Sequence, residues 1–155
     1  MTFRRVMGSF ASGVSVVTTL DDGGKPRGFT CSALCSVSSS PPLLLTCVSS
    51  LSGTMRAIVG QGRFAVNILG VRGQEISQLF ASREGQGKFD QVGWEPGEVT
   101  GMPLLQATVA HAECELTGTV EAGDHTVLLG RIVGGAVSEQ SPLAYWRGDY
   151  ARLTP

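Results

Sequence analysis

Gly28-Phe-Thr-Cys-Ser-Ala-Leu-Cys-Ser-Val-Ser-Ser-Ser-Pro-Pro-Leu-Leu-Leu-Thr-Cys-Val-Ser-Ser-Leu-Ser-Gly-Thr54 is the stretch whose reading decides the fold. Arg27 to Val37 is small and β-prone, and it predicts one or two strands. Ser38-Ser39-Ser40-Pro41-Pro42 ends them, because serine and proline clusters favour turns over ladders. Leu43 to Val48 is an apolar run without alternation, which predicts a strand buried on both faces or nearly so. Ser49 to Thr54 then places hydroxyl residues ahead of Met55 to Val59. That is the pattern of a helix whose first free N–H groups are capped by side chains.

The flanks extend this pattern in both directions. Phe3, Val6, Met7 and Phe10 fall at spacings of three and four, one face of a short helix over 3–11 that Ser12-Gly13 stops. Val14 to Leu20 reads as a strand, and Asp21-Asp22-Gly23-Gly24 as a hairpin turn. Phe64 to Leu69 is a further strand. Ile76, Leu79 and Phe80 give Gln74 to Ala81 a helical period. Ser82 to Pro103 is polar and glycine-rich around Trp94, and it reads as a long loop with little regular structure. Ala107 to Val120 and His125 to Val133 are long strands. Pro142 to Leu153 is a last hairpin around Gly148-Asp149. The sum is one mostly-β domain over residues 1–155 with two or three short helices, arranged as a closed or split barrel.

Composition narrows the function classes. Hydrophobic residues make up 42% of the 155 residues and charged ones 16%, which suits a packed core and a surface easy to desolvate against a second copy, so a homodimer is expected. The net charge of −1 offers no basic field for nucleic acid or anionic lipid. No apolar run approaches the ~20 residues of a membrane span, and the N-terminus shows no signal-peptide pattern, so a cytoplasmic location is expected. Cys31, Cys35, Cys47 and Cys114 form no CxxC pair, and with two histidines they make no recognisable zinc set. They read as reduced, buried packing residues. Gly60-Gln-Gly62-Arg-Phe-Ala65 has the letters of a dinucleotide fingerprint but lies between a helix and a strand, the wrong order. No phosphate-binding GxxxxGK[ST] loop and no GxSxG elbow occurs.

The chemistry therefore falls to the opening stretch. Small side chains let a flat ring approach the backbone, whose N–H groups can bond the ring's polar edge. Hydroxyls and free N–H groups ahead of a helix suit a phosphate. The two ends of a flavin nucleotide match that pair of features.

GFTCSALCSVSSSPPLLLTCVSS resembles the signature strand-turn-strand of the flavin reductase-like family, the small reductase components of two-component flavin-dependent monooxygenases. Phe10-Ala-Ser-Gly-Val14 with Val16-Val-Thr18 resembles the family's opening segment. Phe64-Ala-Val-Asn67 resembles its next strand. Phe80 to Phe89 resembles its flavin loop, Gly123-Asp-His125 with Gly130 its late strand pair, and Pro142-Leu-Ala-Tyr-Trp-Arg-Gly-Asp-Tyr150 its C-terminal hairpin. These segments run in family order along nearly the whole chain.

The resemblance implies a split β-barrel of the FMN-binding type, a homodimer with the flavin near the subunit interface, and hydride transfer from NAD(P)H to flavin. Reduced flavin then passes to a partner monooxygenase. It implies main-chain contacts to the flavin ring from Thr30, Cys31, Ser32 and Ala33. Ser38, Ser49, Ser50, Ser52 and Thr54 become candidates for ribityl and phosphate contacts. Arg83 and Lys88 become candidate phosphate cations, and Phe89 a residue that closes on the ligand. His125 is expected to face the nicotinamide, as the candidate catalytic residue, and Arg147 to reach the cofactor. FAD is favoured with FMN accepted, and NADH over NADPH, since no arginine cluster for a 2′-phosphate is evident in the sequence. Two other readings share these features: a flavin-binding module without catalysis, and a split-barrel oxidase that retains its flavin.

Overall fold

Turn chemistry sets the order of the strands. The computed structural model describes residues 2–83 and 87–154. Along the chain lie α1 (Thr2–Gly8), β1 (Ser12–Gly13), β2 (Ser15–Leu20), β3 (Pro26–Cys31), β4 (Leu34–Ser39), β5 (Pro42–Ser49), α2 (Gly53–Gln61), β6 (Arg63–Leu69) and α3 (Gln74–Ala81). There follow β7 (Trp94–Pro96), β8 (Pro103–Leu105), β9 (Thr108–Ala122), β10 (His125–Val137), β11 (Leu143–Trp146) and β12 (Asp149–Arg152). The β2–β3 turn is organised by Asp21, whose carboxylate accepts from the Gly23 and Lys25 N–H groups at 3.0 and 2.9 Å and from Arg27 Nε at 3.0 Å. The Lys25 N–H and Arg27 together hold this carboxyl below its ordinary range.

Seven strands form one antiparallel sheet in the order β3-β2-β6-β9-β10-β5-β4. The sheet curls until its β3 edge meets β5, where Cys31 Sγ lies 3.1 Å from Thr46 Oγ1 and donates to the Cys47 carbonyl at 3.3 Å. This is the split barrel. Its interior holds Val17, Leu44, Ile58, Phe64, Val66, Cys114 and Leu128. Phe64 is wholly buried, a contribution of about 1.5–3 kcal/mol from removing its ring from water. The ring lies over Gly130, where a Cβ would come within 2.4 Å of it. A second core of Val14, Val16, Leu69, Phe80, Leu105 and Leu143 lies between the barrel, α3 and the small sheet β1-β11-β12.

Several expectations are corrected. β5 buries Leu44, Thr46 and Val48 but only half-buries Leu43, Leu45 and Cys47, so it has one core face. The first helix ends at Gly8, and Ser12-Gly13 pairs with Tyr145 and Ala144 of β11 instead of ending a helix. Cys35 is exposed. The described part of 82–103 is more ordered than a loop: it contains a 3₁₀ turn at Lys88–Gln91 and the β7–β8 hairpin.

Two buried polar groups hold that hairpin. Asn67 donates to the Val16 carbonyl at 3.0 Å and to Thr18 Oγ1 at 3.1 Å, and accepts from the Leu105 N–H at 2.8 Å. Glu113, buried on β9, accepts from the Thr100 N–H at 2.6 Å, its hydroxyl at 2.7 Å and the Val99 N–H at 3.1 Å. Burial raises the pKa of Glu113, but the Thr100 and Val99 donors and the nearby His111 outweigh it, so the carboxyl titrates below its ordinary range.

The C-terminal hairpin turns at Arg147-Gly148 with φ of 50° and 87°. Both central residues of this two-residue turn have positive φ, a geometry that favours Asn-Gly. Arg147 occupies a left-handed conformation at a cost of about 1–2 kcal/mol for a non-glycine residue.

A carboxyl whose pKa is depressed by folding stabilises above its unfolded pKa, and that contribution is lost as pH falls through the folded pKa. Glu113→Gln is expected to lower unfolding free energy by about 1–3 kcal/mol at neutral pH and to flatten the acid limb of the stability profile. Urea titrations over a pH series check this, and an acid limb as steep as wild type would remove Glu113 from it.

Candidate functional site

Where the barrel closes, β3, the start of α2, the end of α3 and the Lys88–Gln91 turn surround a cleft of about 1140 Å³. Gly28 lies in its β3 wall. A Cβ there would stand 3.1 Å from both the Phe80 ring and the Val17 carbonyl, so glycine is what lets α3 lie against β3. Next along β3, Thr30 donates its hydroxyl to the Ser77 carbonyl at 2.6 Å. Ser77 Oγ in turn meets the Tyr150 hydroxyl at 2.8 Å, which ties α3 to the last hairpin.

The α2 side of the cleft is a helix start. Ser52 is its N-cap and accepts from the Met55 N–H at 3.4 Å. Ser49, Leu51, Gly53 and Thr54 line the same wall. Opposite stand Ser82, Arg83, Lys88 and Phe89. Phe89 makes edge-to-face contacts with Phe80 at 5.0 Å and Trp94 at 5.9 Å between centroids. Lys88 Nζ donates to the Ser82 carbonyl at 2.6 Å and sits 5.9 Å from the Phe80 centroid, and burial lowers its pKa. Lys25 and Arg27 add two further cations, and Asp90 is the one acidic lining residue among those described. A hydroxyl-rich, net cationic cleft with an aromatic wall suits a planar ring joined to a phosphate ester.

The structure brings Thr30, Ser49, Ser52, Thr54, Arg83, Lys88 and Phe89 together in this cleft. Cys31 is buried beneath it, with Sγ 3.1 Å from Thr46 Oγ1. Ser32 and Ala33 are exposed at the β3–β4 junction and do not line the cleft. Ser50 turns to Thr126 at 2.9 Å instead. Ser38 stands opposite Leu43, six residues along β5 from Ser49 and thus roughly 20 Å away, so it lies apart from the other hydroxyls. His125 is exposed beside the cleft wall, in register with Ser49 on β5, and its Nδ1 lies 2.7 Å from Asp124 Oδ1. Arg147 lines a different pocket.

Lys25, Arg27, Gly28, Phe80 and Ser82 line the cleft without having been singled out by sequence. The two cations look like hairpin surface charges. A glycine next to an aromatic residue within a β-branched strand pair was the available signal for Gly28.

Comparison with known proteins agrees with this architecture. The family described as the flavin reductase like domain matches residues 7–154, and the chain belongs to that family. It is 47% identical over 154 residues to a flavin reductase (NADH) of Kitasatospora aureofaciens, covering 97% of this chain and 80% of that protein. It is 36% identical over 159 residues to HsaB of Mycobacterium tuberculosis, the reductase subunit of a flavin-dependent monooxygenase, covering 99% and 82%. The NADH:FAD oxidoreductase SgcE6 of Streptomyces globisporus, solved in complex with NAD and FAD fragments, superposes with a TM-score of 0.93 at 35% identity, covering 99% of this chain and 92% of that one.

Ser49 and Ser52 both line the cleft, but only Ser52 caps a helix. Ser52→Ala is expected to cost about 1 kcal/mol of stability. Ser49→Ala is expected to leave stability nearly unchanged. Paired denaturation curves test the distinction, and equal losses would refute it.

Proposed function

We propose that the chain is an NADH-dependent flavin reductase that reduces FAD, accepts FMN, and releases the reduced flavin to a partner monooxygenase. The observation that carries this reading is the cleft at the barrel closure, in a chain of the flavin reductase-like family. The residues present fit a flavin nucleotide. Gly28 lets the Phe80 ring lie flush against β3, the α2 start supplies hydroxyls, and Arg83 and Lys88 supply charge for a phosphate. The names of the Kitasatospora and Streptomyces relatives support NADH over NADPH and FAD as flavin. That of HsaB supports a monooxygenase as recipient.

When bound, the flavin supplies a hydride acceptor at N5 for the nicotinamide C4 of NADH. The chain's own residues then have positioning tasks. On β3, the backbone of Thr30, which lines the cleft, bonds the ring's polar edge. Ser49, Ser52 and Thr54 orient the ribityl-phosphate end. His125, in register with Ser49, orients the nicotinamide carboxamide. No side chain has to give or take a proton in the hydride step, so catalysis rests on alignment of the two rings.

Homodimerisation and a cytoplasmic location belong to the same proposal. Phe3 on α1 and Phe10 just beyond it are 66% and 73% exposed, an apolar surface that suits a second copy. No helix among the described residues is long and apolar enough to cross a membrane.

NADH oxidation by the purified protein is expected to depend on added FAD or FMN; a tightly held flavin with no NADH turnover would overturn the reductase reading. His125→Ala is expected to raise the KM for NADH more than that for flavin, and an unchanged NADH KM would take His125 out of the site. Lys88→Met keeps the apolar stem against Phe80 and removes the charge. It is expected to weaken flavin binding about tenfold at low salt and less at high salt. Fluorescence titration at two ionic strengths checks this, and unchanged affinity would exclude Lys88 from phosphate contact.

A further inference from the structure

A second pocket, of about 770 Å³, lies between α1 and the β11–β12 turn and shares no residue with the cleft at the barrel closure. Three arginines line it: Arg4 and Arg5 from α1, and Arg147 from the far end of the chain. Among the described residues no acidic side chain lines it. Among the described residues the arginine–carboxylate pairs are Arg27–Asp21 and Arg131–Glu115, so none of these three guanidinium groups is neutralised by a carboxylate. All three are exposed along one concave surface, and like charges set there without a counter-charge favour an incoming anion.

The pocket is also built around one of its arginines. Arg147 takes a left-handed backbone conformation at a turn position where asparagine fits with less strain. Its N–H donates to the Gly8 carbonyl at 2.9 Å, which fixes the turn to the end of α1. Trp146 Nε1 donates to the Ser9 carbonyl at 3.2 Å, and the Arg147 guanidinium lies 4.5 Å from the Trp146 ring centroid. The indole thus holds the guanidinium in place, and a stacked guanidinium keeps its N–H edge free for bidentate bonding. A strained backbone that presents an oriented cation points to function more than to stability.

We propose that this pocket is a second anion site that binds the phosphate groups of a nucleotide. Arginine forks match phosphate geometry, and the volume has room for a nucleoside diphosphate. The inference is separate from the flavin reading because it rests on different residues. The same chemistry fits either the pyrophosphate of a dinucleotide or a ribose 2′-phosphate.

The test titrates ADP, pyrophosphate and 2′,5′-ADP into the full chain by calorimetry, with and without saturating FMN. Wild type, Arg147→Asn, the double variant Arg4→Gln/Arg5→Gln and the control Arg72→Gln are compared. Arg147→Asn suits the turn better, so its melting temperature should equal or exceed that of wild type and a lost signal cannot come from misfolding. ADP or pyrophosphate binding that persists beside FMN and falls about tenfold or more in both pocket variants, but not in Arg72→Gln, is the expected result. Preference for ADP and pyrophosphate over 2′,5′-ADP assigns the pyrophosphate, and preference for 2′,5′-ADP assigns the 2′-phosphate. The proposal is overturned by no binding of any probe, by competition with FMN, or by affinities that the two variants leave unchanged. Failure of FMN itself to bind would count against the flavin reading alone.

Discussion

The meeting of β3 with β5 is the constraint on which the rest depends. A seven-stranded sheet can curl onto itself only if its last approach is made by small side chains. Here that approach runs through Cys31, Thr46 and Cys47, joined by the Cys31–Thr46 contact and the bond from the Cys31 thiol to the Cys47 carbonyl. Larger residues would hold the strands apart. The same closure brings Gly28 and Thr30 beside the turn that starts α2, so the cleft is a consequence of the barrel and not an addition to it. The small, hydroxyl-rich character of residues 28–54 thus meets two demands at once, closure of the barrel and access to backbone at its mouth.

What was legible in the sequence was local. The capped start of α2 could be read because Ser52 and the helix it caps are neighbours. The β2–β3 turn could be read from Asp21 and its glycines. What escaped was set by contacts distant along the chain. The β7–β8 hairpin depends on Glu113 reaching back to Val99 and Thr100, and on Asn67 bonding Leu105. A glutamate in a long strand gives no hint of that. The one-sided burial of β5 escaped because an unbroken leucine run hides which face is inside. Ser38 was grouped with Ser49 because both belong to a serine-rich stretch, although a strand's length separates them. The arginine pocket joins residues 4 and 5 to residue 147, which no local pattern could show.

Polar satisfaction is unusually complete for a core with this many hydroxyls. Ser15, Thr18, Thr19 and Thr46 are all buried, and among the described residues no buried side-chain nitrogen or oxygen lacks a partner. Thr18 and Thr19 bond the carbonyls of Pro103 and Arg63, and Ser15 bonds that of Cys31. The Thr18 bond ties β2 to β8, which no ladder joins, while Ser15 and Thr19 reinforce the β2–β3 and β2–β6 pairs, and together they add rigidity.

The cleft's chemistry bears on how long a ligand stays. Its hydroxyls and backbone groups are neutral, and neutral hydrogen bonds contribute about 1 kcal/mol each. Arg83 is exposed, and Arg27 already answers Asp21, so their attraction for a phosphate is screened or shared. Lys88 is half-buried, and its ammonium is partly committed to the Ser82 carbonyl. A site of this kind has specificity from shape without the strong ion pairing that makes release slow. On the reductase reading that balance is required, because a flavin that must leave after each turnover sets an upper bound on the affinity of the pocket that reduces it.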